Sequence, residues 1–205
     1  MLKKLLLIIT LLFISTVQAQ YEWTPALVIL KNGTSFRGLV KFPKHSGGLI
    51  SIGSTKFKYK KSRKSKTEKY GKNAVDEVVF GDENFATLHY KYVPINKQKS
   101  VLMQLVVRGK ATLYSRIVSK SEIKTPSLPD FPNQIVYYDD TQFYIIRNNE
   151  EKATLIVDPS SYGGFISIAI TYFSDCSTIV HYLENELYEL NDIIELVDDY
   201  NLLCE

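Results

Sequence analysis

Apolar and polar residues alternate with a period of two through much of the chain, and the first clear case is Ala26–Phe42, ALVILKNGTSFRGLVKF. A strand turns successive side chains to opposite faces, so Val28 and Leu30 share a face in the first run. Phe36, Val40 and Phe42 share one in the second. Asn32-Gly33 between the runs predicts a two-residue type I′ hairpin turn, whose central residues both need positive φ.

The pattern continues downstream. Pro43–Gly48 reads as a loop, Leu49–Ile52 as a short strand and Gly53-Ser54 as a turn. In Lys56–Lys60, Phe57 and Tyr59 alternate with Lys56, Lys58 and Lys60, which predicts one aromatic and one ammonium-bearing face. Val75–Phe80 and Phe85–Val93 read as strands joined by Gly81-Asp82. Val101–Val107 and Ala111–Val118 read as a second hairpin around Arg108-Gly109-Lys110, a turn of the II′ kind. Ile135–Tyr138 and Phe143–Ile146 read as a third around Asp139-Asp140-Thr141, with one more strand at Ala153–Val157. Such spacing predicts an antiparallel, hairpin-built sheet or barrel-like domain rather than βαβ units.

Past Asp158-Pro159 the period changes. Phe165–Phe173 reads as a short helix, and Asp175 as the N-cap of a helix over Ser177–Leu187. Ile179, Leu183, Leu187, Leu190, Ile194 and Val197 recur every three or four residues, an amphipathic stripe with a break expected near Asn191. The expected fold class is therefore β-rich α+β: a β domain over residues 20–157, with an acidic helical segment, 158–205, packed on it.

The first residues change the picture of where the chain works. Lys3-Lys4, an apolar run from Leu5 to Ile14 and the small-residue site Val17-Gln18-Ala19 have the order of a secretory signal peptide, residues 1–19. The run is short of the roughly 20 residues that span a bilayer, and no later stretch approaches that length. No cysteine near Gln20 could carry a lipid, so a soluble periplasmic or secreted protein is expected. Lys3 and Lys4 leave with the leader, taking the formal charge from +3 to +1. The near-neutral total hides a split, because residues 153–205 contain ten acids and no Lys or Arg, while all remaining basic groups lie before them. That asymmetry implies either self-complementary docking or two differently charged partner surfaces.

Both cysteines, Cys176 and Cys204, lie in the acidic segment. In an oxidising compartment an even pair reads as a disulfide, worth roughly 3.6 kcal/mol in the chain-entropy model. There is no CxxC and no paired histidine, so neither zinc nor any other cofactor is expected.

The Asn-Gly hairpin with Gly38, the segment Tyr172-Phe173-Ser174-Asp175-Cys176 and the tail Tyr200-Asn201-Leu202-Leu203-Cys204 together resemble a recurring family of exported bacterial proteins to which no activity is attached. The resemblance implies export and a cysteine pair, and no mechanism. Leu30-Lys31-Asn32-Gly33 with Gly38 and Val107-Arg108-Gly109 is also similar to the two motifs of Sm-like RNA-binding barrels. The RNA-facing Asp and Asn are missing there, the halves are too far apart for so small a barrel, and an export signal argues against RNA. Hairpin chemistry accounts for both matches.

The conspicuous binding candidate is the basic run Lys56, Lys58, Lys60, Lys61, Arg63, Lys64, Lys66, Lys69 and Lys72, interleaved with Phe57, Tyr59 and Tyr70 and opposed only by Glu68. Clustered cations attract anionic groups by counterion release, and aromatic rings offer stacking faces. Lysines also keep a sheet edge soluble, and their excess over arginine argues against geometric phosphate recognition.

Catalysis has little to stand on. His45, His89 and His181 are scattered, and HExxH, GxSxG, P-loop and dinucleotide patterns are absent. Asp139-Asp140 reads as turn chemistry and Asp198-Asp199 as a helix surface. Trp23, with Tyr21 and Pro25, reads as packing the mature terminus, and Pro126, Pro129 and Pro132 as a surface crossover. A membrane-spanning barrel conflicts with the charged strand faces. The expected function is a non-catalytic interaction or structural module of the cell envelope. The alternative is a binder of an anionic glycan or lipid headgroup through Lys56–Lys72, and a hydrolase whose site is invisible in sequence comes third.

Overall fold

The alternating segments become strands: β1 (Thr24–Leu30), β2 (Ser35–Lys41), β3 (Phe57–Lys60), β4 (Glu68–Tyr70), β5 (Val75–Phe80), β6 (Leu88–Pro94), β7 (Ser100–Val107), β8 (Ala111–Lys124), β9 (Gln134–Arg147) and β10 (Thr154–Val157). The computed structural model describes residues 23–42, 56–81, 87–124, 134–158 and 164–204. The expected signal peptide, the loop and strand expected at 43–52, His45 and the three loop prolines lie outside the described residues. All pairings are antiparallel, in one open sheet of order β10-β9-β8-β7-β6-β5-β1-β2-β3-β4. Both edge strands are short, which limits the exposed ladder available for edge-to-edge association.

The first hairpin forms where expected but turns differently. Gly33 N–H donates to the Leu30 carbonyl at 3.0 Å and Leu30 N–H to the Thr34 carbonyl at 2.8 Å, enclosing a three-residue loop. Only Gly33, at φ 83°, is left-handed, so the loop is a type I turn closed by an αL glycine rather than a type I′ pair. Asn32 instead accepts from Thr34 N–H and Thr34 Oγ1 through its side chain, an alternative open to short polar side chains. At the second hairpin Gly109 has no positive φ, so its turn is not of the II′ kind.

The third expected hairpin does not exist. β9 runs unbroken through Asp139-Asp140-Thr141, and all its residues pair with β8 from Ala111↔Arg147 to Lys124↔Gln134. A continuous partner strand overrides the local turn preference of adjacent aspartates. β7 pairs with β8 only as far as Ser115, and β10 with β9 only as far as Phe143. The outer part, 116–124 with 134–142, is therefore a two-stranded ribbon.

Three helices follow: α1 (Phe165–Tyr172), α2 (Ser177–Glu184) and α3 (Ile193–Leu203), the last entered through a 3₁₀ turn at Leu190–Asp192. None of them is long and apolar enough to cross a membrane. Ile179 and Leu183 of α2, and Ile193, Leu196, Val197 and Tyr200 of α3, are buried on Val107, Leu113, Ile145 and Ile156 of the sheet. The α3 set follows i, i+3, i+4, i+7, one helical face. The break falls earlier than Asn191. Glu186, at φ 55°, ends α2, and Leu187 is 62% exposed rather than part of the stripe. Ile194 is likewise exposed. Cys176, not Asp175, occupies the N-cap of α2, because the Asp175 carboxylate is taken by Arg147 and Tyr200.

Candidate functional site

Register decides what the basic run becomes. Phe57 and Tyr59 turn inward with Tyr70, forming an aromatic cluster with Phe36, Phe42, Phe80 and Tyr90 over Val28, Val40 and Val78. Tyr59 Oη donates to the Arg37 carbonyl at 3.1 Å, and its ring lies across Gly38. A Cβ at Gly38 would sit 2.6 Å from the Lys60 carbonyl oxygen, so glycine is what lets β3 approach. With that face buried, the intervening side chains point out.

Lys41 pairs with Lys58, and Lys58 with Lys69, so three ammonium side chains stand directly opposite one another across β2, β3 and β4. Neighbouring strands are about 4.8 Å apart, and like charges so placed are destabilising. Arg37 shares the polar face of β2 with Lys41, and Lys60 that of β3 with Lys58. Glu68, the one acid of the run, is paired with Tyr59 and so belongs to the other face. It accepts from Tyr70 Oη at 2.7 Å, a bond that, with burial, pushes the Tyr70 pKa up to about 12.

The rest of the run is divided. Lys60 Nζ lies 4.7 Å from the Trp23 ring centroid, a cation–π contact, so Trp23 does hold the start of β1 but through a lysine. Lys61 and Arg63 line an open concavity of about 410 Å³ with Arg37 and Gly38. Lys64 and Lys66 are exposed on the loop between β3 and β4, and the Lys56 chain lies against Gly71. Lys72 turns away, its Nζ donating to the Gln98 carbonyl at 3.0 Å. Arg37 and Lys41 are the functional candidates that sequence reading passed over. Their signal was present, since they occupy the polar positions of the Ser35–Lys41 alternation.

A second polar cluster lies in the middle of the sheet. Glu77 is only 8% exposed, and its Oε1 receives Arg108 Nη2 at 2.8 Å and meets His89 Nδ1 at 2.9 Å. His89 Nε2 is 3.0 Å from Thr87 Oγ1. With Nδ1–H given to Glu77, Nε2 accepts from the threonine. Hydroxyl, imidazole and carboxylate thus stand in the order of a nucleophilic relay. Arg108 shares the carboxylate oxygen, however, and none of the three lines the concavity above, so the arrangement serves first to satisfy a buried carboxylate. His181 is exposed on α2 and bonded to Asn185. No group of three His, Cys, Asp or Glu side chains among the described residues could hold a metal.

One set of polar contacts that holds the helical segment to the sheet centres on Arg147. Arg147 of β9 donates to the Tyr172 carbonyl and to Asp175 Oδ1 at 2.8 Å, and its guanidinium lies 4.6 Å from the Tyr172 ring centroid and 5.2 Å from that of Tyr200. Tyr200 Oη donates to Asp175 Oδ2 at 2.8 Å and Tyr172 Oη to Glu150 at 2.9 Å. Cys176 and Cys204 pair beside this cluster, Cα atoms 5.7 Å apart. Burial pushes the Asp175 carboxyl up, but the bond from Tyr200 and the charge of Arg147 outweigh it and leave it below its ordinary value. No family model, no curated protein and no solved structure matches this chain.

Proposed function

We propose that this protein is a non-catalytic, exported binding module of the cell envelope, whose cationic sheet face takes an anionic glycan or lipid-headgroup surface. The observation that carries this reading is the in-register row Lys41–Lys58–Lys69, three like charges side by side on a face with Arg37 and Lys60. Repulsion between like charges so placed is offset when closely spaced anionic groups lie across them. The lysine-rich composition suits charge density better than a forked recognition of one phosphate.

The test is binding to anionic vesicles and, separately, to a soluble polyuronate, each measured over a range of salt. Charge reversal at Lys58 and Lys69, or at Lys60, Lys61, Arg63 and Lys64, should abolish binding and flatten the salt slope. Vesicles alone responding would assign the headgroup, and polyuronate alone the glycan. Binding that survives both sets of reversals would end the proposal.

A second reading, a protein-interaction module, is favoured by the β8–β9 ribbon. Ile117, Ile123 and Ile135 fall on one of its faces and are 62%, 66% and 58% exposed. Crosslinking of the tagged protein in intact envelopes would capture a partner through the ribbon, and Ile123→Lys would remove it.

A further inference from the structure

Away from the lysine row, the sheet holds a second concavity of about 390 Å³, within the roughly 300–1,000 Å³ of small-ligand pockets. It shares no lining residue with the Arg37–Lys61–Arg63 site. Its apolar wall comes from Val93 and Ile146, with Tyr114 beside them, and Lys31, Lys72 and Lys91 bring three ammonium groups to it from separate elements. Lys31 stands in the β1–β2 turn, Lys72 just after β4 and Lys91 in β6, so no single stretch of sequence announces the cluster.

The charges around it do not cancel. Lys91 Nζ is 3.5 Å from Asp76 Oδ2, and Asp76 is the one carboxylate in the lining. Lys72 is held to the Gln98 carbonyl, an uncharged partner. Lys31 has no side-chain partner among the described residues. Two positive charges are thus left over at the rim of a half-apolar hollow. Burial pushes the Tyr114 pKa up, which keeps its hydroxyl protonated and able to donate.

We propose that this hollow binds a small organic anion with an apolar body, its phosphate, sulfonate or carboxylate head at Lys31, Lys72 and Lys91 and its body against Val93, Tyr114 and Ile146. The two halves of the pocket make separate demands. A bare anion would leave Ile146 and the Tyr114 ring facing water, and a neutral apolar molecule would leave the ammonium groups without a counter-charge.

Three probes separate these demands: 1-naphthyl phosphate, inorganic phosphate and 1-naphthol, each titrated into the full-length protein with amide shifts followed by NMR. The expected result is saturable binding of naphthyl phosphate, shifting residues around Lys31, Lys91 and Ile146, with each of the other two probes at least about tenfold weaker. Lys31→Glu and Lys91→Gln should each weaken naphthyl phosphate binding at least about fivefold, whereas Lys61→Glu with Arg63→Glu should leave it unchanged. That last pair keeps this site distinct from the cationic face, since either can fail alone. Equal affinity for inorganic phosphate or for naphthol, indifference to the Lys31 and Lys91 changes, or no saturation up to about 10 mM naphthyl phosphate would each overturn the proposal.

Discussion

The carboxamide of Asn201 faces the backbone of Ala111 as a neighbouring strand would: Ala111 N–H donates to Oδ1 at 2.8 Å, and Nδ2 donates back to the Ala111 carbonyl at 2.9 Å. Ala111 is fully buried and opens β8, beyond the last ladder pair that β7 offers it. The tail therefore completes the sheet with a side chain. It also explains Gly109, because a Cβ there would overlap the Asn201 amide.

Asn201→Leu leaves two buried backbone groups without partners, at roughly 1–3 kcal/mol each. The expected loss is about 2–6 kcal/mol in urea unfolding with an unchanged m-value, and Gly109→Ala should show a loss in the same direction. A loss under about 0.5 kcal/mol at Asn201 would mean that water replaces the amide at no cost.

The Cys176–Cys204 pair closes the helical segment on itself, joining the start of α2 to the end of α3. Reduction, or the double change to serine, should lower stability by about 2–4 kcal/mol, with the chain-entropy value of roughly 3.6 kcal/mol as a guide. Thiol titration of the native protein should find no free thiol before reduction. Two free thiols in the fully folded protein would contradict the pairing.

Lys58 stands between Lys41 and Lys69, so Lys58→Glu converts two repulsive cross-strand pairs into attractive ones. Each such pair is worth roughly 0.2–1 kcal/mol, and the variant should be more stable than the wild type at low salt, the gain fading as salt rises. The same change should weaken anion binding. Stability gained while binding is lost would distinguish a functional row from a tolerated one, and a variant less stable at low salt would show that the row is not under strain.

Asp175 carries an acid limb of stability. Its folded carboxyl is more acidic than the unfolded one, so as pH falls below about 4 the unfolded chain takes up the proton first and stability drops, until the folded group also protonates. Asp175→Asn should be less stable near neutral pH and should show a flatter acid limb in urea midpoints measured from about pH 6 to pH 2.5. Parallel acid limbs in the two proteins would remove Asp175 from the account.

At high pH the tyrosines act in the opposite direction. Burial pushes Tyr92 and Tyr200 up to about 12, and the bond to Glu68 does the same for Tyr70. The unfolded chain loses these protons near pH 10, so their contribution is intact below that value and disappears as pH rises towards 12. Absorbance of phenolate during titration should be biphasic, its late phase coinciding with loss of tertiary structure by near-ultraviolet circular dichroism. A single phase centred near pH 10 with the fold intact would refute the shifts.

Local sequence was sufficient wherever one strand or one helix face determines the outcome. The inward turn of Phe57 and Tyr59, the shared face of Val28 with Leu30, the β-rich α+β class, and Ile179 with Leu183 in the core all follow from backbone periodicity, which a residue carries wherever it is placed. Tertiary structure decided what depends on a partner. Asp139-Asp140 is a turn by local chemistry and a strand because β8 runs beside it for its full length. Gly109 reads as a turn glycine and is in fact the space for Asn201. Lys41, Lys58 and Lys69 become one row, and Lys31, Lys72 and Lys91 one rim, only through strand register and tertiary packing. Side-chain direction repeats along a strand, but which strand lies opposite, and in which register, is set by burial summed over the whole sheet.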